Sequence, residues 1–510
     1  MIVTSSPNPS LGTAHELSRC GVVDLGSNSV RLVVYEGRSR NPMPIFNEKA
    51  VLRLGRGLDA TGRLNDEGVE QALTVMHRYH AVARAMGADP FEVLATAAVR
   101  DAVNGRAFIE TLQQRMPDVP IHILSGAEEA AFSADGMLCG IPTADGLLAD
   151  IGGGSLELVR LDRGTRGPGH TLRLGVIRLA ERAGGDTLRA RALAEADLRG
   201  VPWLGEAGGS DLYLVGGAFR ALARIHIAQT GYPLAMVHHY TIGREDARDL
   251  SGLISTAPRK VLEKLPAAPR RRIDDLPYAA VVLRRLLRLA NPRRVVFSAS
   301  GLREGWFMRR MPPEIRLQDP LMAAARDMAE HLGRDMGLPQ ALLRWTAPLF
   351  PTETPDWQRL REVACWMSDI GSREHPEFRA EQSFLRVLRQ PGIGLDHHAR
   401  AFLALTIALR YDVDSDAAFL QPARSLLDLG AVARAEVLGV ALRLAYTLSA
   451  GTRDLLAGTR LRIDGGQLTL LLRENSGVFT GESVIRRLSR LAQVMGLEAT
   501  ASAEMAEAAE

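Results

Sequence analysis

Two stretches of this chain are written on one template. "VVDLGSNSVRLVVYE", beginning at Val22, and "LLADIGGGSLELVRL", beginning at Leu147, run in register without a gap when Asp24 is laid on Asp150. Gly26 then falls on Gly152, Ser29 on Ser155, Leu32 on Leu158 and Val33 on Val159, while one charged position changes from Arg31 to Glu157. Each copy reads as two β-rich runs about a turn of small residues, the pattern of a hairpin. A chain that repeats such a unit is expected to build two related halves rather than one enlarged core. At 510 residues it has room for about three or four domains.

Helix and strand alternate after each copy, which predicts α/β organisation. "GVEQALTVMHRYHAVARAMG" has helical periodicity, "FEVLATAAVRDA" opens as a strand, and "VPIHILSG" is a strand running into the helix "AEEAAFSADGMLCG". The second half reads as a hairpin about Gly152 to Gly154, a strand "LRLGVIRLA", a strand "DLYLVGGAF" turning into a helix, and "RRVVFSASGLREGWFMRRM", again strand, small-residue turn and helix. Beyond Met311 the pattern becomes helix after helix with prolines at loop positions, a separate all-α domain. Asp464-Gly465-Gly466 between alternating strands predicts a last hairpin, followed by the helix "GESVIRRLSRLAQVMG" and an Ala/Glu-rich tail. The expected boundaries are a disordered leader over 1–19, α/β domains over 20–140 and 141–311, an all-helical domain over 312–455, and a small hairpin-plus-helix domain with its tail over 456–510.

Composition removes several function classes. No apolar run reaches the roughly 18 residues of a membrane span, and the first residues lack the pattern of a signal peptide. Cys20, Cys139 and Cys365 are odd in number and far apart, which argues against a disulfide framework or a zinc site and makes the cytoplasm the default location. A formal charge of +3 gives no reason to expect a nucleic-acid partner. Of 62 basic residues only Lys49, Lys260 and Lys264 are lysines, a bias that suits phosphate contacts and equally fits genomic composition. The chain has no Gly-x-x-x-x-Gly-Lys-Ser/Thr motif, so a Walker-type nucleotidase is not expected.

A small-residue turn between strands exposes backbone N–H groups and lets an anion approach them. Ser27, Asn28 and Ser29 add side-chain donors in the first copy; Gly152, Gly153, Gly154 and Ser155 form the second turn. Two such cradles facing each other would hold a phosphate chain. Hydrolysis there needs a base for water, a metal to neutralise charge and donors on the phosphate oxygens. Glu128 and Glu129 open a helix directly after a strand, where a carboxylate serves either as a cap or as a base whose proton affinity its neighbour raises.

The paired turns resemble the two phosphate motifs of the acetate and sugar kinase, heat-shock 70 and actin superfamily. Within it, "DLGSNSVRL", "ATAAVRDA", "LSGAEEA", "DIGGGSLELV", "VGG" before a helix and "ASGLREG" resemble, in order, the exopolyphosphatase and guanosine pentaphosphate phosphohydrolase family over residues 20 to 310. The resemblance implies a multidomain chain: two duplicated actin-like (ribonuclease H-like) α/β domains, then an all-α domain related to HD phosphohydrolases and a small α+β C-terminal piece. It also implies magnesium-dependent attack of water on a terminal phosphoanhydride, and a homodimer.

That resemblance assigns the base to Glu129 and leaves Glu128 to support the turn. Asp150 ends one strand and Glu157 lies on the next, so the hairpin can bring both to one magnesium ion, which takes one or two carboxylates and keeps several waters. Arg31, at the equivalent place in the first copy, offers positive charge to the substrate instead. Asp24 matches the superfamily's first acid and is expected to orient water or metal. Arg100, with Thr96 at the strand end before it, and Arg303 match family positions near phosphate, with ion pairing at the surface as the alternative. Gly216 and Gly217 let the backbone approach substrate, or simply pack tightly.

The helical region departs from the HD pattern. Where a His-Asp metal pair is expected the chain reads "CWMSDIG", with Ser368 before Asp369, so one ligand is missing. His375, His397 and His398 are read as surface or capping residues, and the domain as a scaffold without a metal centre. The expected activity is processive release of orthophosphate from inorganic polyphosphate. Hydrolysis of the guanosine pentaphosphate alarmone is the alternative, and a kinase or a noncatalytic sensor of polyphosphate or alarmone are competing classes.

Overall fold

The computed structural model describes residues 19–37, 39–391, 394–473 and 481–504. Residues 1–18 of the expected leader and the end of the Ala/Glu-rich tail lie outside the described residues, while Arg19, the leader's expected last residue, already begins the first strand. Two compact units divide the chain: residues up to 223 together with 241–317, and residues 224–240 together with 318 onward.

The first unit holds two sheets built on one plan. Strands β1 (Arg19–Leu25), β2 (Ser29–Glu36), β3 (Met43–Val51), β4 (Ala88–Ala95) and β5 (Ile121–Ile123) lie in the order 3-2-1-4-5. Strands β6 (Gly146–Ile151), β7 (Leu156–Asp162), β8 (Thr165–Leu172), β9 (Asp211–Val215), β10 (Thr241–Gly243) and β11 (Arg294–Phe297) repeat that order as 8-7-6-9-11, with β10 added at the edge. In each sheet the first three strands are an antiparallel meander and the next two join in parallel. These are actin-like α/β domains with mixed sheets. Residues such as Val23, Leu25, Leu32 and Val93 are buried within the first, and Leu148, Val159 and Val215 within the second, as strands covered on both faces require.

Each repeated hairpin is therefore two strands of a three-stranded meander, and β3 and β8 were not expected. The expected strand "LRLGVIRLA" is corrected: β8 ends at Leu172 and a helix runs over Val176–Arg182. Its alternation imitates a strand, but Gly175 lies so close to the second turn that a Cβ there would come 2.3 Å from the Ser155 nitrogen. The Val176 and Ile177 N–H groups donate to the carbonyls of Gly152 and Gly153 (3.1 and 3.0 Å), so the turn itself starts the helix.

The second unit is helical between Pro320 and Ser449, with the helix His397–Arg410 buried along nearly its whole length. Strands β12 (Thr459–Asp464) and β13 (Gln467–Arg473) form the expected hairpin. The segment Glu498–Glu504, read as tail, is a third strand, β14, parallel to β13. Alanine-rich sequence carries little strand signal; pairing with β13 supplies it. Leu461, Leu468, Leu470 and Leu488 share one core with Phe384, Phe402 and Leu442. No helix among the described residues is long and apolar enough to cross a membrane.

Candidate active site

The two repeated turns close with the same backbone bond, from Gly26 N–H to the Ser29 carbonyl (3.1 Å) and from Gly152 N–H to the Ser155 carbonyl (3.0 Å). They face each other. A Cβ on Gly153 would come 3.1 Å from the Ser27 Cβ, and one on Gly154 would come 2.8 Å from Ser27 Oγ and 3.1 Å from the Ala97 Cβ. Glycine is what lets the second cradle approach the first so closely.

A cleft opens above the turns and is lined by Asp24, Ser27, Asn28, Ser29, Arg31, Thr96, Glu129, Asp150, Gly152, Gly153, Gly154, Ser155, Glu157, Gly216, Gly217 and Arg303. Every residue expected at the site from sequence is on its wall except Arg100, which reaches Glu129 from outside that wall. Arg100 Nη1 donates to Glu129 Oε2 (2.9 Å) and to the Leu124 carbonyl (3.0 Å). Its guanidinium is thus committed to protein acceptors.

The adjacent glutamates at the head of the helix Gly126–Gly140 have separate roles. Glu128 Oε2 accepts from the backbone and hydroxyl of Ser125 (2.8 Å each), while Ser125 Oγ accepts from the Glu128 N–H (3.2 Å). This capping box satisfies the helix start and holds the Glu128 carboxyl below its usual range. Glu129, one residue on, turns inward and is buried. Burial pushes its carboxyl up to about 7, with Arg100 opposing and Asp150 and Asp24 adding to the rise.

Cross-strand register decides which charges meet. Asp24 stands opposite Arg31 on β1 and β2, and Asp150 opposite Glu157 on β6 and β7. Burial raises the carboxyls of Asp24 and Asp150, opposed by Arg303 and Arg31 at the first and by a hydrogen bond from Ser133 at the second. Glu157 is held well above its usual range, by burial and then by Glu129 and Asp150. Its Oε1 is buried without a hydrogen-bond partner, a cost that a cation or a bound water would remove.

The donor set fits a divalent cation. Among the described residues no group of three or more His, Cys, Asp or Glu side chains gathers to hold a metal alone. Asp150 and Glu157 match the one or two carboxylates of a magnesium site completed by water and phosphate.

Cations line the same cleft, and three of them escaped the sequence reading: Lys49 on β3, Arg220 in the first turn of the helix Gly217–Thr230, and Arg272. Lys49 is a cross-strand partner of Arg31, so recognising β3 would have found it. "VGGAFR" does carry an arginine three residues beyond the second glycine; Arg272 sits in an arginine run with no signal of its own. Burial lowers Arg31, with Arg303 adding to it, and lowers Arg220 to about 10 and Lys49 to about 8. Burial opposes protonation of Arg303 too, but Glu304 beside it holds it above its usual value. A cluster of desolvated cations without enough carboxylate is an anion site. The arrangement can therefore grip a chain of phosphates, hold a cation at one end and present Glu129 to a water there.

In the second unit, Asp369 accepts from Arg334 through both oxygens (2.9 Å each) and lies 3.6 Å from Arg410. Ser368 Oγ is paired with the Tyr446 hydroxyl (2.9 Å). His397 is buried, bonded to the Tyr232 hydroxyl and the His238 carbonyl (2.9 Å each). His398 faces Asp428 at 3.8 Å, and His375 packs near Phe378.

Comparison with known proteins places this geometry in context. The model of the Ppx/GppA phosphatase family matches residues 33–314, and that of the exopolyphosphatase C-terminal region matches residues 321–501. Exopolyphosphatase 2 of Mycobacterium tuberculosis is 28% identical over 304 residues, 54% of this chain and 92% of the relative. Retrograde regulation protein 2 of Saccharomyces cerevisiae is 24% identical over 435 residues, 77% of this chain and 72% of the relative. The crystal structure of an exopolyphosphatase from Cytophaga hutchinsonii superposes with a TM-score of 0.51 at 22% identity, covering 56% of this chain and 96% of that one, which establishes the shared fold.

Proposed function

Because the chain belongs to the Ppx/GppA phosphatase family, we infer that it is an exopolyphosphatase, removing orthophosphate processively from the end of inorganic polyphosphate in a magnesium-dependent reaction. The observation that carries this reading is the pair of facing turns with one buried carboxylate, Glu129, brought to about 7 beside them. A base is most useful when its proton affinity lies near the working pH.

The terminal phosphate sits between the turns, its oxygens receiving backbone N–H groups of both copies and the hydroxyls of Ser27 and Ser29. Arg31, Arg220 and Arg303 hold the rest of the chain and stabilise the negative charge that gathers in the transition state. Glu129 takes the proton of the attacking water at its carboxylate, and Arg100 fixes that carboxylate in place. Asp150 and Glu157, with Asp24 nearby, would hold magnesium, which when bound neutralises charge on the phosphate oxygens. Orthophosphate and a chain shorter by one unit leave the cleft.

The helical unit is read as a scaffold derived from an HD-like domain, its Asp369 engaged by arginine rather than metal. A cytoplasmic homodimer is the expected state. The purified chain is incubated with magnesium and either long-chain polyphosphate or guanosine pentaphosphate, and orthophosphate is measured. Release from polyphosphate is expected; release from the alarmone alone would make the protein a pentaphosphate phosphohydrolase instead.

A further inference from the structure

Three helices of the second α/β domain, Thr187–Arg199, Arg244–Thr256 and Leu276–Leu289, border a cavity of about 50 Å³. Roughly 10–15 Å³ of such space holds one water, so the cavity suits one small ion and not a chain. It shares no lining residue with the catalytic cleft. Its wall carries the guanidiniums of Arg191, Arg284 and Arg285 and the hydroxyls of Thr187, Ser255 and Thr256, and among the described residues no carboxylate lines it.

Three observations set this wall apart from a chance gathering of surface arginines. First, Arg285 is only 3% exposed, and its fork is partly satisfied. Nη1 donates to Glu195 Oε2 (2.8 Å), whereas Nε is buried without a hydrogen-bond partner. A buried donor left unpaired costs free energy that a bound acceptor restores.

Second, the charge around Arg285 does not balance. Glu195 is shared among Arg285, Arg199 (2.7 Å) and Arg288 (3.6 Å), while Arg191 and Arg284 make no ion pair among the described residues. Burial lowers the proton affinity of Arg285, Glu195 opposes that fall, and Arg191 and Arg288 add to it. Asp186, at the start of the helix Thr187–Arg199, is committed to the Leu188 N–H (2.8 Å). Guanidiniums thus outnumber carboxylates here, and the excess positive charge favours an anion.

Third, the helices make room for the forks. Gly252 sits within the helix Arg244–Thr256, where glycine is otherwise unfavourable, and a Cβ there would come 3.0 Å from Arg284 Nη1. The missing side chain lets that guanidinium lie against the helix that carries Ser255 and Thr256. Those two hydroxyls donate to the Gly252 carbonyl (3.1 and 3.0 Å). Thr187 Oγ1 has no hydrogen-bond partner among the described residues, which leaves its hydroxyl as a spare donor.

We propose that this cavity is a second oxyanion site, separate from the cleft, that takes a single tetrahedral phosphate group, either free orthophosphate or the end of a phosphomonoester. Arg191 and Arg284 grip its oxygens through planar forks that match phosphate, and Arg285 and Thr187 supply the remaining donors. The inference stands on binding alone and does not depend on the exopolyphosphatase reading.

The full chain is dialysed to equilibrium against radiolabelled orthophosphate without magnesium, and bound phosphate per chain is counted for the wild type, for Arg191→Gln/Arg284→Gln and for Leu188→Glu. Leu188 lines the same cavity and is 74% exposed, so its substitution sets a carboxylate at the rim and leaves folding intact. Each variant should lose one phosphate per chain or bind it at least about tenfold more weakly, while phosphate held in the cleft keeps its Kd within about twofold. Arg191→Lys/Arg284→Lys keeps the charge, loses the forks and should fall in between. A wild type that binds no phosphate, or wild-type stoichiometry and Kd in both disabling variants, would overturn the site. Ribose 5-phosphate is then added as a competitor. Displacement at a lower concentration than unlabelled orthophosphate requires identifies the ligand as a phosphomonoester, and the reverse order identifies it as free orthophosphate. No turnover is read, so loss of this site leaves the hydrolase assignment standing, and loss of that assignment leaves the site to be judged on the same binding data.

Discussion

Arg100 and Glu129 are joined by a 2.9 Å charge-assisted hydrogen bond at the edge of the cleft, and this bond works against the burial that raises the carboxylate's proton affinity. Burial raises Glu129 to about 7 and Arg100 is the chief opposing influence. Replacing Arg100 by Gln should raise Glu129 further, so that more of it is protonated and idle at pH 7. The acid limb of kcat/KM should move to higher pH, with a loss of roughly three- to tenfold at pH 7 that is recovered at more alkaline pH. An unmoved acid limb would mean that the bond does not tune the base.

Glu129→Gln keeps the shape of the side chain and removes its ability to accept a proton from water. Turnover should fall by about 10² to 10⁴-fold while Kd for polyphosphate stays near the wild-type value. Near-normal turnover would place the base elsewhere, although Glu128 is already occupied in its capping box.

Asp150→Ala and Glu157→Ala should each raise the magnesium concentration for half-maximal activity, by about tenfold or more, since a carboxylate ligand is lost from a site that has few. Glu157→Gln should act in the same direction. Magnesium titrations that coincide with the wild type in all three variants would remove this pair from the metal site.

Arg31→Glu sets a carboxylate against the phosphate chain beside Asp24. Contacts of this kind contribute roughly 1.5 to 3 kcal/mol, so KM should rise at least about tenfold with little change in Tm. Arg31→Lys should do less harm, keeping the charge and losing the planar fork that now also donates to Asn47 (2.8 Å). A wild-type KM for the glutamate variant would show that substrate is held by the backbone turns alone.

Lys49 is lowered to about 8 by burial and by Arg272, Arg31 and Arg220 around it. As pH rises through about 8 the ammonium loses its proton and the cleft loses a positive charge, so KM should rise along an alkaline limb. Lys49→Arg should push that limb to higher pH, because a guanidinium keeps its proton. A limb at the same pH in both proteins would assign it to another group.

Much of the site was legible in the sequence because its chemistry is local. A turn of small residues between two strands presents N–H groups wherever it folds, and the offset between Asp24 and Arg31, or Asp150 and Glu157, fixes a cross-strand pair once the hairpin forms. Glu129 was legible through the motif around it, and its separation from Glu128 follows from the helix start: one residue caps, and the next points about 100° around the axis into the cleft. The α/β organisation followed from the repeat and the alternation of strand and helix, and the actin-like plan from the family resemblance of the motifs. Local pattern also misled, at "LRLGVIRLA", where a close approach between Gly175 and the second turn overrode strand-like alternation, and at Glu498–Glu504, where a neighbouring strand supplied the pairing.

What only the tertiary structure decided is which distant charges share a space. Lys49, Arg220 and Arg272 stand in one cleft because β3, the helix after Gly217 and the segment before Ile273 converge there, and no spacing along the chain relates the three to one another. Arg100, expected near phosphate, is bound to Glu129, a pairing that only the packing of their two helices creates. Backbone chemistry and hydrogen-bonded register act over a few residues and so are written in the sequence. Burial and the field of neighbouring charges are sums over every segment that packs nearby, and they exist only after the chain has folded.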